Sequence, residues 1–406
     1  MKILSLAFNN VGRNRQRTLV TIGALAFAGF IMLFYASLIE GFFQTIEHTA
    51  VGMDLGEIQI HQNGYRDNPD LYQRIEHPDD LIQKLDSAGL SASPRLYGFG
   101  LAASGSASAG VGLRGIDLQR EPTVTQIHRH VMQGAWLDKA DPDGVVIGRK
   151  LARTLDANIG DEVVIVTQAA DGSMANRLYR VRGILKSIGE ALDRSAVLMT
   201  EEAFRELMVL PDGVQEIAVV RRDTAQDLQT ATDRAVRASP GLEVMNWRQL
   251  QPVLATLIDI SGVSLLFMIL ITYTAVGMVT LNAMLMSVFE RIHEFGVMKA
   301  IGVSPGQVVA LIFTEAMIQT TAAGGLALAL GLPVSLYYQR HGIDLSEWTG
   351  TGTIMGVAID PVWYCRVTPS TVFMPVVFLF VVAALAVVYP AVKAAVIRPV
   401  QAIYYR

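Results

Sequence analysis

The chain has 406 residues, a formal net charge of -4, 51% hydrophobic residues and only 17% charged residues. This balance argues against a purely soluble protein, and the weak net charge gives no indication of a nucleic acid partner. Because Cys365 is the single cysteine, an intramolecular disulfide and a four-cysteine zinc site are both excluded.

Four apolar runs are long enough to cross a membrane as helices. A bilayer core of about 30 Å needs roughly 20 helical residues, and backbone groups in lipid must be hydrogen-bonded within the segment. The runs that meet this requirement are 18–38, 260–286, 308–332 and 372–392. The sequence therefore predicts a membrane protein with four transmembrane α-helices.

Basic residues flank the first and last runs with no acid among them: Lys2, Arg13, Arg15, Arg17, Lys393, Arg398 and Arg406. Lys and Arg are in excess on the cytoplasmic side, so both termini are expected in the cytoplasm. The predicted order is a cytoplasmic interfacial helix at 1–17, transmembrane helices at 18–40, 259–286, 307–333 and 371–392, an external domain at 41–258, a cytoplasmic coupling helix at 287–306, an external loop at 334–370 and a cytoplasmic tail at 393–406.

The interfacial helix is predicted from one apolar stripe near the N-terminus. Its members are Ile3, Leu4, Ala7, Phe8 and Val11. Their spacing puts them on one side of a helix, which suits a helix lying at the membrane surface.

The external domain, 41–258, loses the continuous apolar character and is predicted to be a mixed α/β domain. Its strand-like runs are 57–61, 111–116, 145–148, 162–167, 178–185 and 216–220, and its helix-like runs are 149–155, 201–208 and 225–238. Residues 102–112 are mostly Gly, Ala and Ser, and we expect a flexible loop within a hairpin there.

No catalytic constellation is found in the sequence. A strand would place His128 and His130 on opposite faces, and without a nearby cysteine they are expected at the surface rather than on a metal. The phosphate-binding pattern G-x-x-x-x-G-K-[ST] does not occur. The chain is therefore expected to hold no metal or cofactor and to be no enzyme, and any ATP hydrolysis must come from another polypeptide.

Polar residues mark the connection after the second run and the third run itself. Glu290 and Glu294 lie one helical turn apart, so they share a face of a short charged helix that is suited to docking on a soluble partner. Glu315 and Gln319 lie one turn apart within the third run. Because a charge at that depth is costly, both are expected to face the helix bundle or a cavity, through a hydrogen bond between helices or a substrate contact.

Three separated motifs resemble the FtsX-like permeases of ABC transporters, the family that includes the lipoprotein-releasing LolC and LolE subunits and the MacB exporter. The coupling-loop pattern R-x-x-E-x-G-x-x-x-A-x-G is matched by Arg291, Glu294, Gly296, Ala300 and Gly302. The N-terminal segment is similar at Asn9, Asn10, Arg13, Asn14, Arg17 and Thr18, and the C-terminal segment at 390–395, Pro399 and Ala402.

The resemblance implies a bacterial inner-membrane permease with a large mixed α/β periplasmic domain between its first and second helices. It implies a second permease subunit, identical or homologous, and cytoplasmic ABC ATPase subunits that bind ATP and Mg. The residues expected to transmit the ATPase movement are Glu290, Arg291, Glu294, Gly296, Lys299, Ala300 and Gly302. The other expected partners are membrane lipids, lipoproteins and a periplasmic chaperone or adaptor.

The function implied is ATP-coupled extraction or export of lipoprotein or lipid-like cargo from the inner membrane towards the outer membrane. The LolC branch recruits a chaperone through an inserted loop, whereas the corresponding connection here, 168–177, is short and has no proline. Two alternatives stay open: a MacB-like efflux permease that works with an adaptor and an outer-membrane channel, and a non-transporting activator of a periplasmic cell-wall hydrolase.

A cargo cavity is expected between two permeases, open near the outer leaflet. On the first helix, residues recurring every four positions are the candidate wall: Phe30, Phe34, Leu38 and Phe42. On the second helix the candidates are Leu266, Met268, Ile269 and Met278. Ordinary packing against lipid or core is the alternative for all eight. Small residues between 322 and 331 predict close packing of the third helix.

Overall fold

A computed structural model describes residues 2–223, 225–345, 353–354, 357–358 and 362–398 of the chain. These residues fall into two compact units. One is helical and contains 2–44, 258–345 and 362–398, and the other is a mixed α/β unit that contains 45–257. Pro399, Ala402 and Arg406, and part of the predicted external loop 334–370, lie outside the described residues.

The helices follow one another along the chain, with a π-helical turn at Val51–Leu55 and a 3₁₀ turn at Ile127–Arg129. They are α1 (Lys2–Arg13), α2 (Arg15–Ala50), α3 (Pro78–Ser87), α4 (Glu121–Val124), α5 (Arg149–Thr154), α6 (Glu190–Ser195), α7 (Glu201–Met208), α8 (Leu228–Ala238), α9 (Trp247–Leu250), α10 (Pro252–Glu290), α11 (Ile292–Ala300), α12 (Pro305–His341) and α13 (Pro369–Val396).

Four of these described helices, α2, α10, α12 and α13, are long and apolar enough to cross a membrane. Three of them extend well beyond the length that lipid requires: the 39 residues of α10 rise roughly 58 Å. α2 continues to Ala50, and α12 continues past Pro333 to His341. Apolar runs mark the part of a helix that suits lipid, so they do not locate the helix end.

The four long helices meet around one buried cluster. It contains Leu25 and Met32 of α2, Ile269 and Tyr273 of α10, Ala323 of α12 and Leu379 of α13. Small residues allow close approach: a Cβ placed on Gly29 would lie 2.9 Å from Ala327 Cβ, and one on Gly331 would lie 3.2 Å from Leu33. Close contact of this kind drives helix association in lipid, where apolar burial gains little.

The apolar stripe of α1 is divided between two environments. Ala7 is fully buried in a cluster with α10, α11, α12 and α13, and Ile3 packs against the same cluster. Leu4 and Phe8 are 62% and 70% exposed. One edge of the predicted stripe therefore packs on the bundle, and the other remains open.

The strands of the α/β unit form one ten-stranded sheet. They are β1 (Ile58–His61), β2 (Leu90–Ser104), β3 (Ala107–Ile116), β4 (Val131–Gly134), β5 (Gly144–Ile147), β6 (Glu162–Gln168), β7 (Met174–Leu185), β8 (Ala196–Thr200), β9 (Glu216–Arg221) and β10 (Glu243–Asn246). Short pairs follow elsewhere: β11 (Ile343–Asp344) with β14 (Val362–Trp363), and β12 (Thr353–Ile354) with β13 (Val357–Ala358).

The order of the large sheet is β10-β1-β9-β2-β3-β8-β5-β7-β4, and β6 pairs with both β2 and β7. These pairings close a ring of six strands, β2-β3-β8-β5-β7-β6. Helices α3 and α8 contribute Leu81, Ile82 and Leu85, and Ala231 and Ala235, to the same apolar core as the strands. The result is a mixed α/β unit, as the sequence predicted.

Two expectations for this unit are wrong. Residues 102–112 form no flexible loop, because β2 and β3 pair without interruption from Arg95↔Ile116 to Ser104↔Ala107. Only residues 105–106 turn, with Gly105 at φ +56°. The small residues of this segment have a low propensity for strands, and the pairing of β2 with both β3 and β6 stabilises the strand conformation. His128 lies in a 3₁₀ turn and His130 follows it, so neither lies on a strand.

A buried charge network lies within the α/β unit. Arg95 is 1% exposed and donates from Nη2 to Glu121 Oε1 at 2.6 Å and from Nη1 to Glu216 Oε1 at 2.8 Å. Burial by itself would raise the pKa of the Glu121 carboxyl, but Arg95 outweighs burial and lowers it to about 2. Buried charges are tolerated when they are paired in this way.

Cys365 lies in the helical unit between α12 and α13. It is 2% exposed, and its backbone N–H donates to the carbonyl of Tyr338.

Candidate functional site

The connection between α10 and α12, residues 287–306, is the segment that the sequence predicts to meet a partner, and we call it the coupling segment. The chain leaves the helical conformation at Arg291 and re-enters it in α11. Gly302 then takes φ +100°, a conformation that favours glycine. The side chain of Ser304 accepts from the N–H of Gln307 and caps α12.

Two ion pairs connect the N-terminal helices to the coupling segment. Arg13 of α1 lies 2.5 Å from Glu294, and Arg17 of α2 lies 2.6 Å from Glu290. Burial opposes ionisation of Glu294, but hydrogen bonds from Arg13 and Arg291 lower the pKa of this carboxyl. Because the pairs are partly exposed, each contributes little stability, and their main effect is to orient α1 and α2.

A third ion pair lies deeper, between the coupling segment and α12. Arg291 Nη1 donates to both oxygens of Glu315, at 3.1 and 2.9 Å. Asn10 Nδ2 donates to the same carboxylate at 2.6 Å. Glu315 is 6% exposed, so its charge depends on these partners. Gln319 is half-buried and, with Glu315, lines a polar cleft of about 250 Å³.

The far end of the coupling segment is connected to the last helix. Lys299 Nζ donates to the carbonyl oxygens of Ala394, Ala395 and Ile397 at 2.9, 2.7 and 2.7 Å. These carbonyls belong to the C-terminal end of α13. The two ends of the coupling segment are therefore attached to different helices of the bundle.

A row of exposed side chains runs along α11 and its C-cap residue. It consists of His293 and the apolar Val297 and Ile301, which recur every four residues, and we call it the exposed stripe. Val297 is 43% and Ile301 is 77% exposed. On the opposite side of α11, Phe295 is buried in the bundle cluster. A short helix that presents apolar side chains to water in this way is suited to contact a partner.

The predicted coupling residues thus separate into three groups. Glu290, Arg291, Glu294 and Lys299 bind other parts of this chain. Gly296 is buried within α11, Ala300 is exposed at the end of α11, and Gly302 is exposed just beyond it. The sequence indicated charged side chains as the contact surface. In the structure, Val297 and Ile301 are the large apolar side chains that α11 and its C-cap leave exposed beside those charges. Val297 and Ile301 had not been singled out, although their four-residue spacing was visible in the sequence.

The partners of these charges came from the N-terminal segment. Asn10, Arg13 and Arg17 belong to the motif that carried the family resemblance, and Arg13 and Arg17 also supported the predicted orientation. Their contacts with residues about 270 to 305 positions later depend on the tertiary packing of α1 and α2, which no local pattern reveals.

The residues of the candidate cargo wall differ in their surroundings within this chain. Phe34 packs on Tyr338 of α12 and Phe42 on Trp363, with ring centroids 5.9 and 4.3 Å apart. Phe30 stacks on Phe34 along α2, and Leu38 is half-buried. Ile269 is fully buried in the helix cluster, so we remove it from the candidate wall.

The remaining wall candidates lie on α10. Leu266, Met268 and Met278 are 43%, 44% and 62% exposed. Among the described residues, no group of His, Cys, Asp or Glu side chains is arranged to hold a metal ion.

Two families match successive parts of this sequence. Residues 18–238 match the family described as MacB-like periplasmic core domain, and residues 266–399 match the family described as FtsX-like permease C-terminal. The first match alone covers more than half of the chain.

Individual relatives agree with these matches. The lipoprotein-releasing system transmembrane protein LolC of Xylella fastidiosa (strain Temecula1) is 24% identical over 307 residues, which cover 72% of each chain. LolC of Neisseria meningitidis serogroup B is 23% identical over 415 residues, covering 96% of this chain and 94% of the relative. The macrolide export ATP-binding/permease protein MacB of Bdellovibrio bacteriovorus is 25% identical over 186 residues, covering 45% of this chain and 26% of that protein.

The four apolar helices and these relatives define a multi-pass membrane protein that is an ABC transporter permease of the LolC/LolE or MacB type. More closely, the chain belongs to the FtsX-like permeases that carry a MacB-like periplasmic core domain. The family predicted from the three sequence motifs is thereby confirmed.

Proposed function

We propose that this chain is the permease subunit that couples ATP hydrolysis by a separate cytoplasmic ATPase to extraction of lipoprotein or lipid-like cargo from the bacterial inner membrane. It would work with a second permease subunit, identical or homologous, with the α/β unit on the periplasmic side and both termini in the cytoplasm. The observation that carries the proposal is the coupling segment, which binds the bundle near both ends and presents the exposed stripe.

The geometry suggests how a movement of the coupling segment reaches the helices. A push on the exposed stripe would act on Arg291 and Glu294, and through them on α12 and α1. The connection to α2 would run through Glu290, which pairs with Arg17. Since the Arg291–Glu315 pair is largely buried, water does not screen it as it screens a surface pair. The exposed stripe would supply the contact area, and the ion pairs would transmit the displacement.

Lipoprotein cargo is favoured over efflux by the extent of the similarity. The Neisseria LolC relative aligns over almost the whole chain, whereas the Bdellovibrio MacB relative aligns over less than half. In the connection that carries the chaperone-recruiting loop in the LolC branch, β6 ends at Gln168 and β7 begins at Met174, so only five residues join them here. We therefore propose that chaperone capture, if this complex uses it, depends on the second permease.

Photo-cross-linking tests the ATPase contact. A photoreactive residue at position 297 or 301 is expected to capture a nucleotide-binding subunit of the purified complex. The same probe at Leu326, which is 48% exposed on α12, serves as the control and is expected to capture none. Ile301→Asp should reduce recovery of the ATPase with the permease at least tenfold, because it places a charge in an apolar contact. Equal labelling from all three positions would contradict the proposed contact.

The cargo is tested in the same way. Photoreactive residues at positions 34, 38 and 42 are expected to capture a lipoprotein without ATP and to release it when ATP is added. ATP-insensitive capture of phospholipid alone would count against extraction. Capture of a soluble peptide would favour the MacB-like exporter, and recovery of a cell-wall hydrolase would favour the activator.

A further inference from the structure

The ammonium group of Lys299 is fully occupied within this chain. Its three N–H donors match three carbonyl acceptors, those of Ala394, Ala395 and Ile397, all within 2.9 Å. The side chain therefore has no remaining donor for a soluble partner, although the sequence had grouped it with the residues that transmit the ATPase movement.

The carbonyls of Ala394 and Ala395 are among those that a helix end leaves without partners, and the third acceptor belongs to the C-cap residue, Ile397. The last four carbonyls of an α-helix lack intrahelical donors, and the partial negative charge there favours a cation. Helix α13 ends without a glycine that would turn the chain back, since its C-cap is Ile397 at φ -58°. Lys299 of α11 supplies the hydrogen-bond donors that a C-terminal capping motif would supply from the chain next to the helix end.

We propose that Lys299 is a positioning residue that fastens α11 to the cytoplasmic end of α13, so that the last helix moves with the coupling segment. The proposal rests on the proposed function for the origin of the movement, but the fastening itself does not depend on it. Arg291 and Glu294 lead to α1 and α12, whereas Lys299 gives a second route that ends on α13. Phe295 of α11 and Ala394 of α13 are also buried in one hydrophobic cluster, so apolar packing connects the same two helices.

A distance measurement tests the fastening directly. Spin-labelled residues would be placed at Ala300 and at Val396, which is 74% exposed, in the full chain within its complex. The variants are Lys299→Met, which keeps the stem without the ammonium, and Lys299→Arg, which restores several donors. Lys393→Met, an exposed lysine on the same helix end, is the matched control.

Without nucleotide, the label distance is expected to be narrow in the parent chain, in Lys299→Arg and in Lys393→Met, and at least twice as broad in Lys299→Met. On ATP binding, the mean label distance should stay constant in the parent chain, in Lys299→Arg and in Lys393→Met. It should change in Lys299→Met. An equally narrow and constant distance in Lys299→Met would overturn the proposal. If Lys299→Met is not recovered from membranes, Lys299→Gln, which keeps an uncharged donor, replaces it and is expected to broaden the distance.

Transport is measured in parallel. Lys299→Met should keep ATP hydrolysis within twofold of the parent and release at least tenfold less cargo per ATP, and Lys299→Arg should recover most of that loss. If the parent complex binds no ATPase, the proposed function fails, while the nucleotide-free distances still decide whether Lys299 fastens α13. Normal cargo release per ATP in Lys299→Met would show that the fastening has no role in coupling.

Discussion

The buried ion pair between Arg291 and Glu315 is expected to contribute more to stability than a partly exposed ion pair in the same site, which serves as the control. The side chains of Arg291 and Glu315 are 13% and 7% exposed, whereas those of Arg17 and Glu290 are 25% and 45% exposed. Removing one partner of a buried pair costs about 3–5 kcal/mol, because the other charge is left without compensation. Exposed pairs contribute only about 0.2–1 kcal/mol.

Arg291→Met should therefore lower the unfolding free energy by roughly 3 kcal/mol, because Glu315 keeps only Asn10. Glu315→Met should lower it somewhat less, because Arg291 keeps Glu294 at 3.2 Å. The double variant should lose much less than the sum, because no charge remains unpaired, and the coupling energy should be about 2–3 kcal/mol. The matched cycle, Arg17→Met with Glu290→Met, should give less than about 1 kcal/mol.

The assay is denaturant unfolding of the purified full chain in mixed micelles, followed by far-UV circular dichroism at one fixed micelle composition. A coupling energy no larger for Arg291–Glu315 than for Arg17–Glu290 would refute the reasoning. So would a double variant that loses the full sum of the single effects, because the two side chains would then act independently.

Two further predictions concern other parts of the molecule. Gly29→Leu should reduce recovery of folded protein from membranes several-fold, because a Cβ there meets Ala327 Cβ at 2.9 Å, whereas Gly23→Leu adds its side chain in open space and should be tolerated; equal recovery would contradict the close packing. Arg95 depresses the pKa of Glu121 to about 2, so the stabilisation is present above the usual pKa of about 4.5 and is lost as the pH falls towards 2. Unfolding midpoints of the full chain should fall over that interval and should depend less on pH in Glu121→Gln; an unchanged pH dependence would assign the effect to other carboxylates.

The elements that sequence patterns predicted are those whose stability is mainly local. Continuous apolar runs indicate the long helices, because lipid imposes a fixed length and composition on them. Alternation of apolar and polar residues indicates β6 and β7, because a strand with one buried face requires that period of two. By contrast, β2 contains Pro94, two glycines and many small residues, and its 15 residues are strand because β9, β3 and β6 pair along it.

In the candidate site, too, some features depend on local sequence and others depend on contacts between distant segments. The position of the coupling segment followed from local sequence, in which Gly302 was one of the matched motif residues. The partners of Glu290 and Glu294 did not follow from it, because a charged helix face is equally compatible with water and with arginines from a distant segment. Arg13 and Arg17 pair with Glu294 and Glu290 here, and both arginines lie far away in the chain.

The burial of Cys365 has a practical consequence for experiments on this protein. Burial raises the pKa of its thiol to about 11, so only about one molecule in ten thousand carries the reactive thiolate at pH 7. A cysteine introduced at an exposed position, with a pKa near 8.5, would be ionised in a few per cent of molecules. Maleimide chemistry would then favour the introduced cysteine, and the buried thiol of the unmodified chain supplies a weakly reactive background for site-specific labelling.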